Sequence, residues 1–137
     1  MEIIKENSFA KAEYDAGSSV IYSSYSGAVN IEKALEVLEA QLVFASKNNV
    51  RAIHANLSKL TGTFTMINEW LEKNFFPPMI EKGMECHALI VSSDIFSQFA
   101  INDLVQRIGS FELQTFGDYM KGKDWILEKL GSVAAES

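Results

Sequence analysis

The amino-acid sequence predicts a single α/β domain in which helices cover one mixed sheet of five β-strands. A strongly periodic helical segment, residues 31–45, is followed directly by a β-prone segment, residues 51–57, as in layered αβ units. Two β-prone segments flank a turn-rich stretch at residues 15–19, which is typical of an antiparallel hairpin. The continuous apolar run at residues 86–92 is typical of a strand that is buried on both faces.

Length and composition fit one globular domain over residues 1–137. Hydrophobic residues make up 47% of the chain and charged residues 22%, so one hydrophobic core is expected. The formal net charge of −6 repels phosphate backbones and anionic lipid surfaces, so nucleic acid is not an expected partner. Because no apolar run is long enough to span a membrane and no secretory leader is visible, we expect a cytoplasmic protein without membrane insertion.

The first half of the chain predicts a hairpin, a helix and a third strand. Residues 9–14 and 20–25 form the two strands of the antiparallel hairpin. Asn30 is a good N-cap, and the apolar residues after it recur at helical spacing. These apolar residues are Ile31, Ala34, Leu35, Leu38, Leu42 and Ala45. The third predicted strand, residues 51–57, follows this helix directly.

The middle of the chain predicts a loop and a helix that ends at two prolines. The loop covers residues 58–63, and helical spacing then extends over residues 64–74. We expect Pro77 and Pro78 to stop that helix, because proline lacks the backbone N–H that a helix interior needs. A second short helical piece before Gly83 leads into the fourth strand.

The last third of the chain predicts one more helix, strand and helix. Asp94 caps a helix that ends at Gly109, a fifth strand covers residues 111–116, and an amphipathic helix begins after Asp118. Residues 132–137 are expected to fray. The resulting element order is ββαβαβαβα, and strands that are connected by helices are expected to pair in parallel.

Several short patterns follow one another in a recognisable order. They are Tyr25-Ser26-Gly27 before the first helix, Ala55-Asn56-Leu57-Ser58 at the third strand, Trp70 with Pro77-Pro78, the block Ala88-Leu89-Ile90-Val91-Ser92-Ser93-Asp94-Ile95-Phe96, and Phe116-Gly117-Asp118 with Trp125-Ile126. Together with the element order, they resemble the SpoIIAA-like branch of the STAS fold over residues 8–131. This branch contains anti-sigma-factor antagonists and STAS-like or CRAL-TRIO-like relatives. The resemblance implies a SpoIIAA-like domain that works as a binding module.

The same resemblance draws attention to the hydroxyl groups after the third strand. In anti-sigma antagonists, a serine in an Asp-Ser-Ser-Gly-like loop is phosphorylated, and this controls binding to a partner kinase. The corresponding stretch, residues 56–63, lacks the Asp-Ser-Ser core but keeps hydroxyls at Ser58, Thr61 and Thr63. Phosphorylation of Ser58 or Thr61 is therefore a secondary hypothesis, and the resemblance implies the fold more than the switch.

No complete catalytic, metal or cofactor motif is visible. Cys86 and His87 are adjacent, so their side chains point to opposite faces of a strand and do not form a nucleophile and base. Cys86 is the only cysteine, and His54 and His87 lack the close spacing of metal ligands. Phosphate-binding glycine motifs and the serine-hydrolase motif are also missing from the sequence. We therefore expect structural roles for these three residues, and no enzyme, metal or cofactor.

The middle of the chain has more aromatic and methionine side chains than one helical stripe needs to cover a sheet. The predicted ligand or partner surface consists of Thr61, Thr63, Phe64, Trp70, Phe75, Phe76 and Met79. These residues complete the core, form an exposed patch for dimerisation, or line a cleft for an apolar ligand. The first functional hypothesis is a non-catalytic STAS-like module that binds another protein or itself as a homodimer. The alternative is a carrier or sensor of a small apolar ligand such as a lipid.

Overall fold

The computed structural model describes residues 1–131. Its strands are β1 (Glu2–Glu6), β2 (Ala10–Asp15), β3 (Val20–Ala28), β4 (Ala52–Thr61), β5 (Cys86–Ile90) and β6 (Leu113–Phe116). Its helices are α1 (Ile31–Ala45), α2 (Thr65–Trp70), α3 (Phe76–Glu81), α4 (Ile95–Ile108) and α5 (Tyr119–Lys129). A π-helical turn at Leu71–Phe75 joins α2 to α3, so these three segments form one continuous helical stretch. The expected fraying of residues 132–137 lies outside the described residues.

The strands form one mixed sheet in which they lie side by side in chain order. β2 pairs antiparallel with both β1 and β3, whereas β3, β4, β5 and β6 pair in parallel. The α/β class, the mixed sheet and the hairpin, which is β2–β3, are confirmed. The prediction of five strands is wrong, because the sheet of residues 1–131 has six. The missed strand, β1, is mostly exposed and therefore lacks the apolar alternation by which strands are recognised.

Local signals explain why the helices begin where they do. The side chain of Asn30 accepts a hydrogen bond from the Lys33 N–H at 3.0 Å, which caps α1 at its predicted start. Asp94 and Asp118 cap α4 and α5 in the same way, with acceptor distances of 3.0 Å to the N–H groups of Ser97 and Lys121. These three predicted helix starts are confirmed.

Two local predictions in the middle of the chain are wrong. Residues 58–61 are not a loop, because β4 continues its parallel pairing with β3 as far as Thr61, which lies opposite Ala28. Pro77 and Pro78 also do not stop the preceding helix, whereas the predicted short helical piece before Gly83 is present as α3. The Phe76 N–H donates to the Leu71 carbonyl in a π-type hydrogen bond, and the prolines then lie in the first turn of α3, where a missing N–H is tolerated.

The two faces of the sheet are covered by different helices. On one face, which we call the main core, α1, α2, the π-turn, α3 and α4 pack against residues such as Ile53 and Leu89. On the other face, α5 packs through Ile126 and Leu130. All five residues of β5 are buried, so the prediction of a strand covered on both faces is confirmed. Within residues 1–131, no helix is both long and apolar enough to cross a membrane.

Candidate functional site

A cavity of about 80 Å³ lies in the main core, between the sheet and the helices that cover it. The sheet contributes Ser23, Tyr25, Ile53, Ala55, Leu57, Leu60, His87 and Leu89. The helical side contributes Ile31, Ala34, Leu38, Gln41, Phe64, Ile67, Leu71, Phe75, Phe76 and Leu104, and the connecting segments contribute Phe9 and Val29. In the part of the chain that the structure describes, no Asp, Glu, Lys or Arg side chain lines this cavity, so its wall is apolar with four polar side chains.

Three of these polar side chains have buried atoms without a hydrogen-bond partner. Ser23, Gln41 and His87 are 4%, 1% and 5% exposed. The Ser23 Oγ, both amide atoms of Gln41 and the His87 Nδ1 make no hydrogen bond with any atom of residues 1–131. A buried polar group without a hydrogen-bond partner lowers the free energy of unfolding by about 1–3 kcal/mol. Such groups are rare in native proteins. Their shared cavity is therefore the place where these groups can find partners.

Regular secondary structure brings these polar groups to the cavity. Ser23 lies two residues after Ile21 on β3, so both side chains point into the main core. Gln41 lies on the buried stripe of α1, three residues after Leu38 and four before Ala45. A polar residue on an apolar stripe is the one sequence signal that marks this site.

Tyr25 lies beside Ser23 and Gln41 in the cavity wall. Burial raises the pKa of its phenol, and the neighbouring Gln41 and Ser23 side chains partly offset this rise. Neither neighbour reaches the phenol in a hydrogen bond of acceptable geometry, since their polar atoms have no partner in the described chain. The Phe9 ring packs against Tyr25 with a centroid distance of 5.9 Å. Tyr25 is therefore a neutral side chain that completes the polar end of the cavity.

His87 lies at the opposite side of the cavity, on β5. Burial and, to a smaller extent, the nearby His54 lower its pKa to about 3. The imidazole is therefore neutral at physiological pH, and its ring centroid is 5.2 Å from that of Phe76. Which ring nitrogen donates depends on the tautomer. A neutral imidazole can form one hydrogen bond through its Nδ1 with a ligand in the cavity, but it carries no charge.

The seven residues of the predicted surface do not lie together on one surface. Phe64, Phe75 and Phe76 are buried and line the cavity, and Met79 is buried outside it. The possibility that Phe75, Phe76 and Met79 form an exposed patch is therefore corrected, because helical packing turns all three inward. The remaining three residues lie nearer to solvent. Trp70 is half-buried, and Thr61 and Thr63 are exposed at and just after the end of β4.

The segment that carries the predicted phosphorylation sites is held by the start of α4. Ser58 and Thr61 are exposed residues of β4, so their hydroxyls face solvent. Just beyond them, the Gly62 N–H donates to the Asp94 carboxylate at 2.9 Å, and the Ser97 hydroxyl donates to the Gly62 carbonyl at 2.7 Å. Phosphorylation at Ser58 or Thr61 stays a prediction.

A second feature is a group of exposed apolar side chains, which we call the apolar edge. It consists of Met66, Ile95, Phe96, Phe99, Tyr119 and Met120. These residues lie in the first two turns of α2, α4 and α5, which follow the parallel strands β4, β5 and β6. Because parallel strands end at the same side of a sheet, these helix starts lie along one edge. Phe96 and Phe99 are 62% and 69% exposed, which is unusual for phenylalanine in a folded domain.

The remaining histidine, His54, and the cysteine, Cys86, lie under α5 or beside it, outside the cavity. The His54 Nε2 lies 3.1 Å from the Tyr119 carbonyl oxygen, and burial lowers the pKa of this histidine. Burial raises the pKa of Cys86 to about 11, so its thiol is not a reactive thiolate at neutral pH. Among residues 1–131, no group of three or more His, Cys, Asp or Glu side chains is arranged to hold a metal ion.

No protein-family model matches this sequence, and no curated protein matches it either. The resemblance to SpoIIAA-like domains therefore rests on the sequence patterns and on the element order alone. The function has to be inferred from the cavity and from the apolar edge.

Proposed function

We propose that this chain is a cytoplasmic, non-catalytic binding module that holds a small, mainly apolar molecule in the cavity of the main core. One observation carries this proposal. Four buried polar atoms of Ser23, Gln41 and His87 lack partners in the described chain, and all three side chains line the same apolar cavity. Pockets for small molecules typically combine apolar walls with a few such polar groups. The element order supports a SpoIIAA-like, STAS-like single domain as the scaffold of this module.

The cavity volume indicates what size of molecule fits. An apolar cavity of about 150 Å³ in another protein binds benzene, whereas the cavity here measures about 80 Å³. A ligand of about benzene size therefore has to displace part of the wall. A long lipid chain requires a larger rearrangement of the helical stretch at residues 65–81, so the volume favours a compact ligand.

Ordered water is the alternative occupant of such a cavity. Water also satisfies buried polar groups, typically with about three hydrogen bonds per molecule. The two possibilities differ in what is retained when the protein is purified under native conditions. Only a ligand adds the mass of an organic molecule that is recovered after the protein is unfolded.

Native mass spectrometry of the purified protein, with solvent extraction of the unfolded chain, tests the proposal. We expect a retained small molecule in the wild type and its loss in Ala55→Leu, which fills the cavity. Ala28→Leu is the matched control, because Ala28 is exposed at the end of β3. The proposal fails if the wild type retains no molecule and if neither cyclopentanone nor 2-pyrrolidinone shifts the amide resonances of cavity residues.

The apolar edge favours a second function, self-association through a two-fold interface with another copy of the chain. Large apolar side chains that are exposed on a folded domain often belong to interaction surfaces, and a stable interface needs about 800 Å² per partner. The six exposed apolar side chains at the helix starts of the described fold are the residues that such an interface would bury. A two-fold contact matches this surface with itself.

Sedimentation velocity measurements test self-association. We expect a dimer in the wild type and a monomer in the double variant Phe96→Asp and Phe99→Asp. Val43→Asp is the control, because Val43 is 59% exposed but lies near the C-terminal end of α1, away from the apolar edge. A monomeric wild type at all concentrations, or a double variant that stays dimeric, excludes this second function.

A further inference from the structure

The amide of Gln41 indicates what chemical group the cavity recognises. A primary amide has a donor, Nε2, and an acceptor, Oε1, side by side on one planar group. Both atoms lack a partner in residues 1–131, and the side chain is 1% exposed. The edge of this amide is therefore available for two parallel hydrogen bonds. The pairing works in either orientation of the amide, since exchanging its nitrogen and oxygen only exchanges donor and acceptor.

We propose, on the basis of the function proposed above, that the ligand is an uncharged molecule with an amide or lactam group, which pairs with Gln41 through two hydrogen bonds. In this pair, the Nε2 of Gln41 donates to the carbonyl oxygen of the ligand. The N–H of the ligand donates to the Oε1 of Gln41. The rest of the ligand contacts the apolar wall.

The lining of the cavity favours an uncharged ligand. In the described part of the chain, its lining residues include no formally charged side chain, so an ionised carboxylate or ammonium group would be buried without a counter-charge. His87 and Tyr25 are neutral at physiological pH, because burial lowers the pKa of the imidazole and raises that of the phenol. A fatty-acid carboxylate buried at this position is therefore disfavoured relative to a neutral amide.

The positions of the polar groups divide the cavity into two ends. Ser23 and Gln41 both lie beside Tyr25, so they form one polar end. His87 lies on β5, two strands away from Ser23 on β3, and two strand spacings are about 10 Å. A compact ligand that pairs with Gln41 therefore lies near Ser23 and does not reach His87. A longer ligand with a second polar group spans both ends.

Small ring compounds test this recognition directly. The probes are 2-pyrrolidinone, which has a donor and an acceptor, cyclopentanone, which has only the acceptor, and pyrrolidinium, which is charged. Titrations followed by ¹H–¹⁵N spectra of the full chain report the affinity of each. We expect 2-pyrrolidinone to bind about tenfold more tightly than cyclopentanone, since one hydrogen bond distinguishes them. We expect no binding of pyrrolidinium.

The variant Gln41→Met removes the amide and keeps a side chain of similar length. We expect it to lose the preference for 2-pyrrolidinone, because the N–H of this probe is then buried without an acceptor, whereas the control Gln98→Met keeps the tenfold preference. Gln98 is an exposed glutamine whose amide already donates to the Ser92 carbonyl at 2.9 Å. Ser23→Ala is a second variant at the same end of the cavity, and it should weaken binding of 2-pyrrolidinone without removing the preference.

The outcomes separate this inference from the function on which it rests. If both neutral probes bind the wild type equally, the cavity is a ligand site but the assignment of an amide group is wrong. If the preference persists in Gln41→Met, Gln41 is not the recognising residue. If no probe binds and no molecule is retained on purification, both proposals are wrong.

Discussion

Gly122 of α5 lies so close to Ile90 of β5 that a Cβ atom on the glycine would be 2.5 Å from the Ile90 Cδ1. The same Cβ atom would lie 3.4 Å from the Nε2 of His54. The missing side chain therefore lets α5 approach the sheet closely, and the His54 Nε2 then lies 3.1 Å from the Tyr119 carbonyl oxygen. In residues 1–131, α5 is the helix that covers this face of the sheet. The close contact at Gly122 therefore determines how near α5 lies to the sheet.

Gly122→Ala should destabilise the protein, although alanine favours helices. Overpacking a well-packed site costs about 1–3 kcal/mol, whereas replacing a helical glycine by alanine gains about 1 kcal/mol. We expect the free energy of unfolding in urea to fall by about 1 kcal/mol. Gly117→Ala is the control, because a Cβ atom there meets no other atom within 4 Å. A variant at Gly122 as stable as the wild type would show that the Ile90 side chain or α5 shifts without loss of stability.

Asp94 links the start of α4 to the end of β4. Its carboxylate accepts hydrogen bonds from the N–H groups of Gly62 at 2.9 Å and Ser97 at 3.0 Å. Asp94→Ala should therefore speed hydrogen exchange of the Gly62 amide and lower the Tm by several degrees. Asp118→Ala is the matched control, because its carboxylate caps α5 through the Lys121 N–H alone. Equal effects of the two variants on Gly62 would contradict the linking role of Asp94.

Sequence signals predicted most of the fold where they were local and strong. The N-cap at Asn30 and the apolar stripe after it gave both ends of α1, and the apolar run at residues 86–92 gave a strand buried on both faces. β1 has no comparable signal. Four of its five residues are exposed, and it is held by backbone pairing with β2, which a period-2 apolar pattern does not report.

The helical stretch around the two prolines shows where a local rule fails. Proline ends a helix when the hydrogen bond to an earlier carbonyl is lost. Here the π-turn changes the hydrogen-bond spacing at Phe76 immediately before Pro77 and Pro78. The prolines thus occupy a first helical turn, which needs fewer N–H donors. The π-turn places Phe75 and Phe76 in the main core, and the proline rule alone does not predict it.

The sequence did not predict most of the candidate site, because its polar residues are far apart along the chain. Ser23, Gln41 and His87 come from two strands and one helix, and each is an ordinary residue in its own segment. Of the aromatic residues that the sequence did single out, Phe64, Phe75 and Phe76 line the cavity. The aromatic content of the sequence thus predicted part of the apolar wall. The polar groups come together only through tertiary packing.

Gln41→Met should stabilise the protein when it is free of ligand. The buried amide of Gln41 has no partner in the described chain, and replacing such a group by an apolar one of similar shape removes its desolvation cost. We expect the free energy of unfolding in urea to rise by about 1–2 kcal/mol. Gln98→Met, at an exposed and hydrogen-bonded glutamine, should change it by less than about 0.5 kcal/mol. A loss of stability in Gln41→Met would mean that ordered water satisfies the amide.

His87 should make the protein less stable in mild acid. Its pKa is about 3 in the folded state and about 6.5 in the unfolded chain. Between these values the unfolded state binds a proton that the folded state does not, so the free energy of unfolding falls as the pH falls from 6.5 towards 3. At pH 4.5 the loss from this group amounts to about 2–3 kcal/mol relative to pH 7.

Urea unfolding of the wild type and of His87→Gln at pH 7 and pH 4.5 measures this contribution. His54, whose pKa burial also lowers, and all carboxylates are present in both proteins, so their effects cancel in the comparison. We expect the difference in stability between the two pH values to be about 2–3 kcal/mol smaller in His87→Gln than in the wild type. An identical pH dependence in both proteins would mean that His87 accepts a proton in the folded state, which requires water or a guest in the cavity to solvate the charged ring.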